Sequence, residues 1–313
     1  MNLLEETRKG YTISKEMKEV WAVQINMAKH LLEVCRRNGL RIWADSGTLL
    51  GTVREQGYIP WDDDMDFLML RDDYDKLVSI SDKEFGSPYF FQYLGKEKGY
   101  IKGHAQVRYD GTAAIRRDDI WEPFHQGIFI DIFVFDSIPN EENEEWLADL
   151  ERADKIQEIL SSRCFHKGRF SLNKTVWNWI CSNINCNFKR NKDLFDEYEN
   201  IFRKYNVPDN IRISLPCFDR GDYMKVTTKM KEWYRETLYM PFEDIDMPVP
   251  IDFEKVLKSQ YGEHYMEPVK SKSIHGSFLV LDSNNDYRPI IKDLRKKRII
   301  NKFLRKKWMS QPE

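Results

Sequence analysis

Apolar side chains recur at helical spacing from residue 13 to residue 38: Val20, Val23, Ile25, Met27, Leu31, Leu32 and Val34. Asn38-Gly39 supplies a stop, so this stretch predicts a helix. The period then shortens. Leu40–Ala44 predicts a strand, Asp45-Ser46-Gly47-Thr48 a turn, and Leu49–Arg54 one or two helical turns ending near Gly57. Pro60 leads into a second strand, Met65–Leu70, after which Asp72 or Asp73 is placed to cap a helix through Tyr74, Leu77 and Val78.

Short strands are predicted at Tyr89–Tyr93 and His104–Tyr109, the latter closed by Asp110-Gly111. Residues 127–136, GIFIDIFVFD, are apolar on both faces, which predicts a central strand covered on both sides. From residue 141 to 206 the period is helical, with an amphipathic helix at Lys189–Tyr205. A strand-turn region follows at 211–225, and residues 247–250 read as extended. Asp252 is placed to cap a helix from Phe253 to Tyr261, stopped by Gly262. No internal repeat or low-complexity segment is apparent.

The 313 residues suit roughly one to two domains. Apolar residues make up 41% and charged residues 32%, enough for a core and a solvated surface. Five cysteines without regular spacing fit a reducing compartment better than a disulfide framework. The charged N-terminus lacks the apolar core of a signal peptide, and no run approaches the roughly 18–20 apolar residues that span a bilayer. A cytoplasmic protein, soluble or peripheral at the inner face of the cell membrane, is the expectation.

The segment IPWDDDMDFLML places Asp62, Asp63, Asp64 and Asp66 at the front of an apolar strand. Like charges held close oppose folding unless something positive balances them. Asp64 and Asp66 are two apart, so on a strand both project to one face. Asp131 is the lone interior charge of the most apolar strand and becomes a third member if the strands are neighbours. Three converging carboxylates suit Mg²⁺ or Mn²⁺, which prefer oxygen ligands. The plainer readings are a solvated loop for Asp62 and Asp63, and a structural ion pair to Arg108 for Asp131. Ser46-Gly47-Thr48 before a short helix offers backbone amides to phosphate oxygens, with Arg54 in reach. Its plainer reading is a helix-surface arginine. A turn of this kind followed by a strand bearing an Asp-x-Asp is the layout of a nucleotidyltransferase-type site.

Three blocks, DSGTLLGTVREQGYIPWDDDMDFLM, GIFIDIFVFD and MPVPIDFEKVLKSQYGEHYMEP, resemble the signature of the LicD family of phosphotransferases, which includes the fukutin-related proteins. The resemblance runs from about Leu40 to Pro268. It implies an α/β (α+β) fold with a nucleotidyltransferase-like mixed sheet, flanking helices and a helical C-terminal part. Residues 1–140 would form the catalytic core with its N-terminal helix, 141–268 an acceptor-side, mainly helical region, and 269–313 a basic tail. It further implies metal-dependent transfer of phosphocholine from CDP-choline to a sugar of a surface glycan or teichoic acid, releasing CMP; relatives use CDP-ribitol. Matched residue by residue, Asp64 and Asp66 take the place of the metal-binding Asp-x-Asp and Asp131 that of the third acid. Gly47 and Thr48 fall in the phosphate-binding turn, and Arg54 is the motif arginine. One departure is Val134-Phe135-Asp136, where the family often has Pro-Leu-Asp.

Other candidates rest on the residues alone. Ser46, Arg108 and His125 are further substrate-binding candidates, His125 with a structural role as the plainer alternative. Trp61, Tyr109, Trp121 and Phe124 lie near the motifs and could face a quaternary ammonium, or simply pack. Cys164, His166, Cys181 and Cys186 match no zinc spacing, and the cysteines read more simply as core. Residues 292–307 carry nine Lys or Arg against Asp293 alone on an amphipathic helix, which suits an anionic membrane, where lipid-linked glycan acceptors reside, or docking on the protein. Nucleic acid is not expected beside so many carboxylates. CDP-glycerol as donor, a nucleotidyltransferase releasing pyrophosphate, and a non-catalytic nucleotide-binding scaffold at the membrane stand as alternatives.

Overall fold

The computed structural model describes residues 1–163, 177, 180, 184, 189–215, 227–269 and 278–308, with 298–308 described by backbone alone. Strands β1 (Glu6–Arg8) and β2 (Tyr11–Ile13) form a hairpin ahead of helix α1 (Lys15–Arg37). Then come β3 (Trp43–Ala44), α2 (Ser46–Glu55), β4 (Asp66–Leu70), α3 (Arg71–Glu84), β5 (Tyr89–Gln92), β6 (Ala105–Tyr109) and β7 (Ala113–Arg116). A short 3-10 turn (Asp119–Trp121) precedes β8 (Phe129–Ile138), α4 (Glu144–Arg163), α5 (Asn191–Arg203), β9 (Arg212–Ser214) and β10 (Lys229–Met230). The chain continues with β11 (Thr237–Phe242), β12 (Ile245–Pro250), α6 (Phe253–Tyr261), β13 (Phe278–Asp282) and α7 (Tyr287–Trp308).

The fold is mixed α/β, built on a seven-stranded sheet in which β10, β9, β8, β4 and β3 lie in order and β6 joins β8 to β5. β8 is the hub. It runs parallel to β4, its first half pairs antiparallel with β6, and its second half with β9. Nine of its ten residues are buried, as its two-sided apolar pattern requires.

α1 forms where the apolar period predicts. Ser14 caps it by accepting from the Met17 amide at 3.3 Å, Glu16 lies in its first turn, and Arg36 and Arg37 lie in its last. Its buried face also holds the acidic segment in place. Trp21 Nε1 donates to the Asp62 carbonyl at 3.0 Å and Gln24 Nε2 to the Asp63 carbonyl at 2.9 Å, while Trp21 stacks on Tyr58. Asp62 and Asp63 are therefore no solvated loop; Asp63 is only 6% exposed.

Elsewhere the structure departs from the local pattern. α3 starts at Arg71 with Leu70 as its cap, so Asp72 and Asp73 lie in its first turn, where they favour the positive helix end instead of capping it. The β11–β12 hairpin, which the extended reading of 247–250 did not anticipate, packs Phe242, Met247 and Val249 into the core that contains β4 and β8. A second cluster joins Trp146, Ile156 and Leu160 of α4 to Leu194, Tyr198 and Phe202 of α5. The start of α7 docks on the protein: Tyr287 and Ile291 pack against Ala113, Ile115 and Ile120, and Arg295 donates to the Ile120 and Glu122 carbonyls. Among the described residues no helix is long and apolar enough to cross a membrane. Cys164, His166, Cys181 and Cys186 lie outside the described residues.

Candidate active site

The parallel pairing of β4 with β8 sets Asp66 directly beside Asp131. The alignment is held by the Asp131 amide, which donates to the Met65 carbonyl, and by the Asp66 amide, which donates to Thr48 Oγ1, both at 2.9 Å. Asp45 precedes α2 and donates its amide to the Asp66 carbonyl at 3.0 Å. These contacts bring Asp45, Asp62, Asp64, Asp66 and Asp131 to the wall of one cavity of about 620 Å³. Gly47 lines it too, and for a close-approach reason: a Cβ there would lie 2.6 Å from Asp62 Oδ2.

The electrostatics of this wall are lopsided. Burial pushes the Asp66 carboxyl well above the usual carboxylate range, and Asp64, Asp131, Asp62 and Asp45 all push the same way. Burial and Asp64 do the same to Asp62, which shares a hydrogen bond with Asp64. Two carboxylates in that contact need a proton or a cation between them. Asp131 differs. Burial alone would raise it, but His104, Lys102 and Gln106 outweigh burial and hold it ionised. Gln106 Nε2 donates to Asp131 Oδ1 at 2.5 Å, and His104 Nε2 lies off-axis at 3.1 Å from the same oxygen. Burial lowers His104 below the ordinary histidine value. Lys102 also lines the cavity; burial, opposed by Asp131, brings it down to about 8.

These residues fit a divalent cation. The donors are all hard oxygens, Asp45 Oδ1 is buried without a hydrogen-bond partner, and the carboxylates of Asp62, Asp63 and Asp64 approach within 4.8 Å of one another. That close trio includes Asp63, which does not line the cavity. For an ion that must also meet a substrate, the cavity-lining set of Asp62, Asp64, Asp66 and Asp131 is the better match.

Ser46, Gly47 and Arg54 also reach the cavity. Ser46 is held at φ 49°, a left-handed backbone that costs a non-glycine residue about 1–2 kcal/mol. Arg54 is not a surface residue: Nε donates to Glu55 at 2.8 Å and Nη1 to the Tyr265 carbonyl at 3.2 Å. Three other sequence candidates lie off the lining. Thr48 is buried behind it as the acceptor for Asp66. Arg108 makes no direct pair with Asp131; its Nη2 donates to Gln106 Oε1 at 2.5 Å, so it acts on Asp131 through Gln106. His125 sits elsewhere, with Nε2 3.0 Å from Asp110, Nδ1 accepting from the Gly127 amide, and its ring stacked on Phe90. Of the aromatics, Trp61 lines the cavity, together with Phe133, Tyr261 and Tyr265. Phe124 packs on Tyr100, Tyr109 on Tyr89, and Trp121 under Arg295.

Lys102, His104, Gln106, Arg116 and Asp45 are site residues that the sequence reading did not single out. The one local signal was His104 and Gln106 at the head of a predicted strand.

Residues 39–171 match the family described as LicD/FKTN/FKRP, nucleotidyltransferase domain. The chain carries a LicD-family domain. Over 264 residues it is 25% identical to the lipopolysaccharide cholinephosphotransferase LicD of Haemophilus influenzae, covering 80% of this chain and 92% of that protein. It is 40% identical over 80 residues to an uncharacterised protein of Rickettsia prowazekii and 43% over 65 residues to one of Rickettsia typhi, covering 29% and 20% of those chains. The domain match and the likeness to a cholinephosphotransferase support a phosphotransferase enzyme. The acidic segment, β4 and Asp131 all fall inside the matched domain.

Proposed function

We propose that this LicD-family protein transfers an alcohol phosphate, phosphocholine first among the candidates, from a CDP-alcohol to a sugar hydroxyl, with Mg²⁺ or Mn²⁺ held by Asp64, Asp66 and Asp131. The observation that carries this reading is the acid-on-acid pairing of Asp66 with Asp131 on the wall of one cavity, both residues lying in the stretch that matches the LicD/FKTN/FKRP family. The likeness to a lipopolysaccharide cholinephosphotransferase supports the choice of group and of a glycan acceptor. A bound divalent ion would supply charge neutralisation for a transferring phosphoryl group. Asp62 would complete the oxygen set. The start of α2, with Ser46 and Gly47 on the wall, presents backbone amides and a positive helix end to phosphate. Gln106 and His104 fix the orientation of Asp131, and Asp64 or Asp131 accepts the hydroxyl proton as CMP leaves. Trp61, Tyr261 and Tyr265 offer aromatic faces to a quaternary ammonium. The basic face of residues 292–307 would bring the enzyme to the inner face of an anionic membrane, where lipid-linked glycans are met.

Incubation with CDP-choline, CDP-ribitol or CDP-glycerol, Mg²⁺ and a set of glycan acceptors tests this. Acceptor-dependent CMP release, largest with CDP-choline, is the expected outcome. Release with another CDP-alcohol reassigns the group. Pyrophosphate release from a nucleoside triphosphate offered in place of the CDP-alcohol would replace the reading with nucleotidyl transfer, and nucleotide binding without metal binding or turnover would leave a scaffold.

A further inference from the structure

Three strongly basic side chains line the cavity, Arg54, Lys102 and Arg116, and their surroundings differ. Arg54 is committed to Glu55 and the Tyr265 carbonyl. Among the described residues, Lys102 and Arg116 have no carboxylate within ion-pairing distance and no hydrogen bond to protein, and Arg116 Nε is shut off from solvent with no acceptor. Both lie over the ring of Phe129, Lys102 Nζ at 5.8 Å and the Arg116 guanidinium carbon at 5.5 Å from its centre. Arg116 also lies 5.2 Å from the Phe278 ring. Aromatic faces offset part of the cost of holding a cation away from water, but they give its N–H groups no oxygen to bond.

Phe129 stands two residues ahead of Asp131 on β8. The pair of cations is thereby built into the strand that carries the third acid. Their N–H groups want an acceptor that the described residues do not supply, and the neighbouring carboxylates are already in excess. An anionic ligand satisfies both conditions. Arg116 presents a planar fork suited to phosphate oxygens, and Lys102 a compact charge.

We propose that Lys102 and Arg116 form the binding wall for the nucleoside-side phosphate of the donor. This rests on the CDP-alcohol reading above and adds a division of labour to it. The acceptor oxygen forms a bond to the transferred phosphorus as the bridging P–O bond breaks, and the electron pair of that bond stays on the departing CMP oxygen. The hydroxyl proton goes to a carboxylate of the acidic cluster. The charge gained by CMP then faces Lys102 and Arg116, while the transferred phosphate stays with the carboxylate side of the cavity.

The test is calorimetric titration of CDP, CMP, cytidine and inorganic pyrophosphate, each with Mg²⁺, into the full chain and into Lys102→Met and Arg116→Met. The wild type should prefer CDP to cytidine. Each substitution should weaken CDP and pyrophosphate binding by about 10- to 100-fold, leave cytidine unchanged, and flatten the salt dependence. Lys102→Arg and Arg116→Lys should recover most of the affinity, and melting curves confirm that each variant is folded. If one Met variant does not fold, its charge-keeping partner and the other position still decide the matter. Unchanged CDP and pyrophosphate affinity in the folded variants would overturn the wall. A wild type that binds pyrophosphate but no cytidine nucleotide, with the variants losing pyrophosphate, would keep the wall and reject the CDP donor. A wild type that binds neither would overturn it.

Discussion

The same two parallel strands, β4 and β8, bring charged groups together at both of their ends, with opposite results. At one end Asp66 faces Asp131. At the other, Arg71 follows β4 and grips Asp136 of β8 in a two-pronged pair, Nε to Oδ1 at 2.7 Å and Nη2 to Oδ2 at 2.6 Å. Asp136 is fully buried and takes a third bond from Asn206 at 2.6 Å, and Arg71 also reaches Glu199 and Asp75. Burial works against the charged form of Arg71, but Asp136, Glu199 and Asp75 together hold it well above its ordinary range. Every charge at this end is answered by protein, which is what a structural ion network needs. At the Asp66 end Gln106, His104 and Lys102 hold Asp131, but Asp66 and Asp62 face other carboxylates, an arrangement that stabilises nothing until a cation arrives.

The contrast is broken most sharply at the acidic end. Asp66→Asn should lower turnover by roughly a hundred- to a thousandfold, the scale seen on removing one electrostatic contact at a reacting centre. Its metal-free melting temperature should stay level or rise, because a repelling charge has gone. A clear fall in both would mean that Asp66 is structural.

At the paired end the signs reverse. Arg71→Met leaves Asp136 buried and unanswered and should cost about 3–5 kcal/mol in denaturant unfolding. Replacing Asp136 with Leu in the same chain should recover most of that loss. If Arg71→Met alone is as stable as the wild type, the two ends do not differ as described.

A third, smaller effect sharpens the comparison by using a titrating group away from the cavity. Burial, opposed by the Asp110 hydrogen bond, lowers His125 to about 4. The folded state therefore binds its proton more weakly than the unfolded chain, with an ordinary value near 6.5. Stability from this group is complete above pH 6.5 and is lost as pH falls through about 4, on the order of 3 kcal/mol in all. His125→Gln should remove that slope between pH 6.5 and 4 while leaving the metal response intact. A persistent slope in the variant would assign it to other groups.

Much of this was readable along the chain, for reasons that are local. α1 follows from its apolar period and its Asn38-Gly39 stop, and the centrality of β8 from its apolar run; α6 lies between Asp252 and Gly262 as predicted, but the Asp252 carboxylate pairs with Arg235 and Lys255 and makes no capping bond. Asp64 and Asp66 announce themselves by spacing, and Asp131 by being charged where its neighbours are not. Lys102 and Arg116 announce nothing, and His104 only its place at the head of a predicted strand. Each is an ordinary polar residue at a strand edge or in a loop, and they meet only because β6, β7 and β8 are brought together by the sheet and its packing. Arg108 and His125 show the converse error. Both sit near the motifs in sequence, yet a buried arginine and histidine are more readily satisfied by neighbouring amides and carboxylates than left for substrate. The β11–β12 hairpin was hidden by its prolines, which break the alternation that marks a strand.

The central claim is that the Asp66–Asp131 end of the sheet is built for a divalent cation. Calorimetric titration of Mn²⁺ into the wild type and Asp66→Asn, with Arg71→Met/Asp136→Leu as the control from the other end, tests it most directly. Saturable binding in the wild type and the control, weakened at least tenfold in Asp66→Asn, is the predicted result. Equal affinity in all three, or none in the wild type, would contradict it.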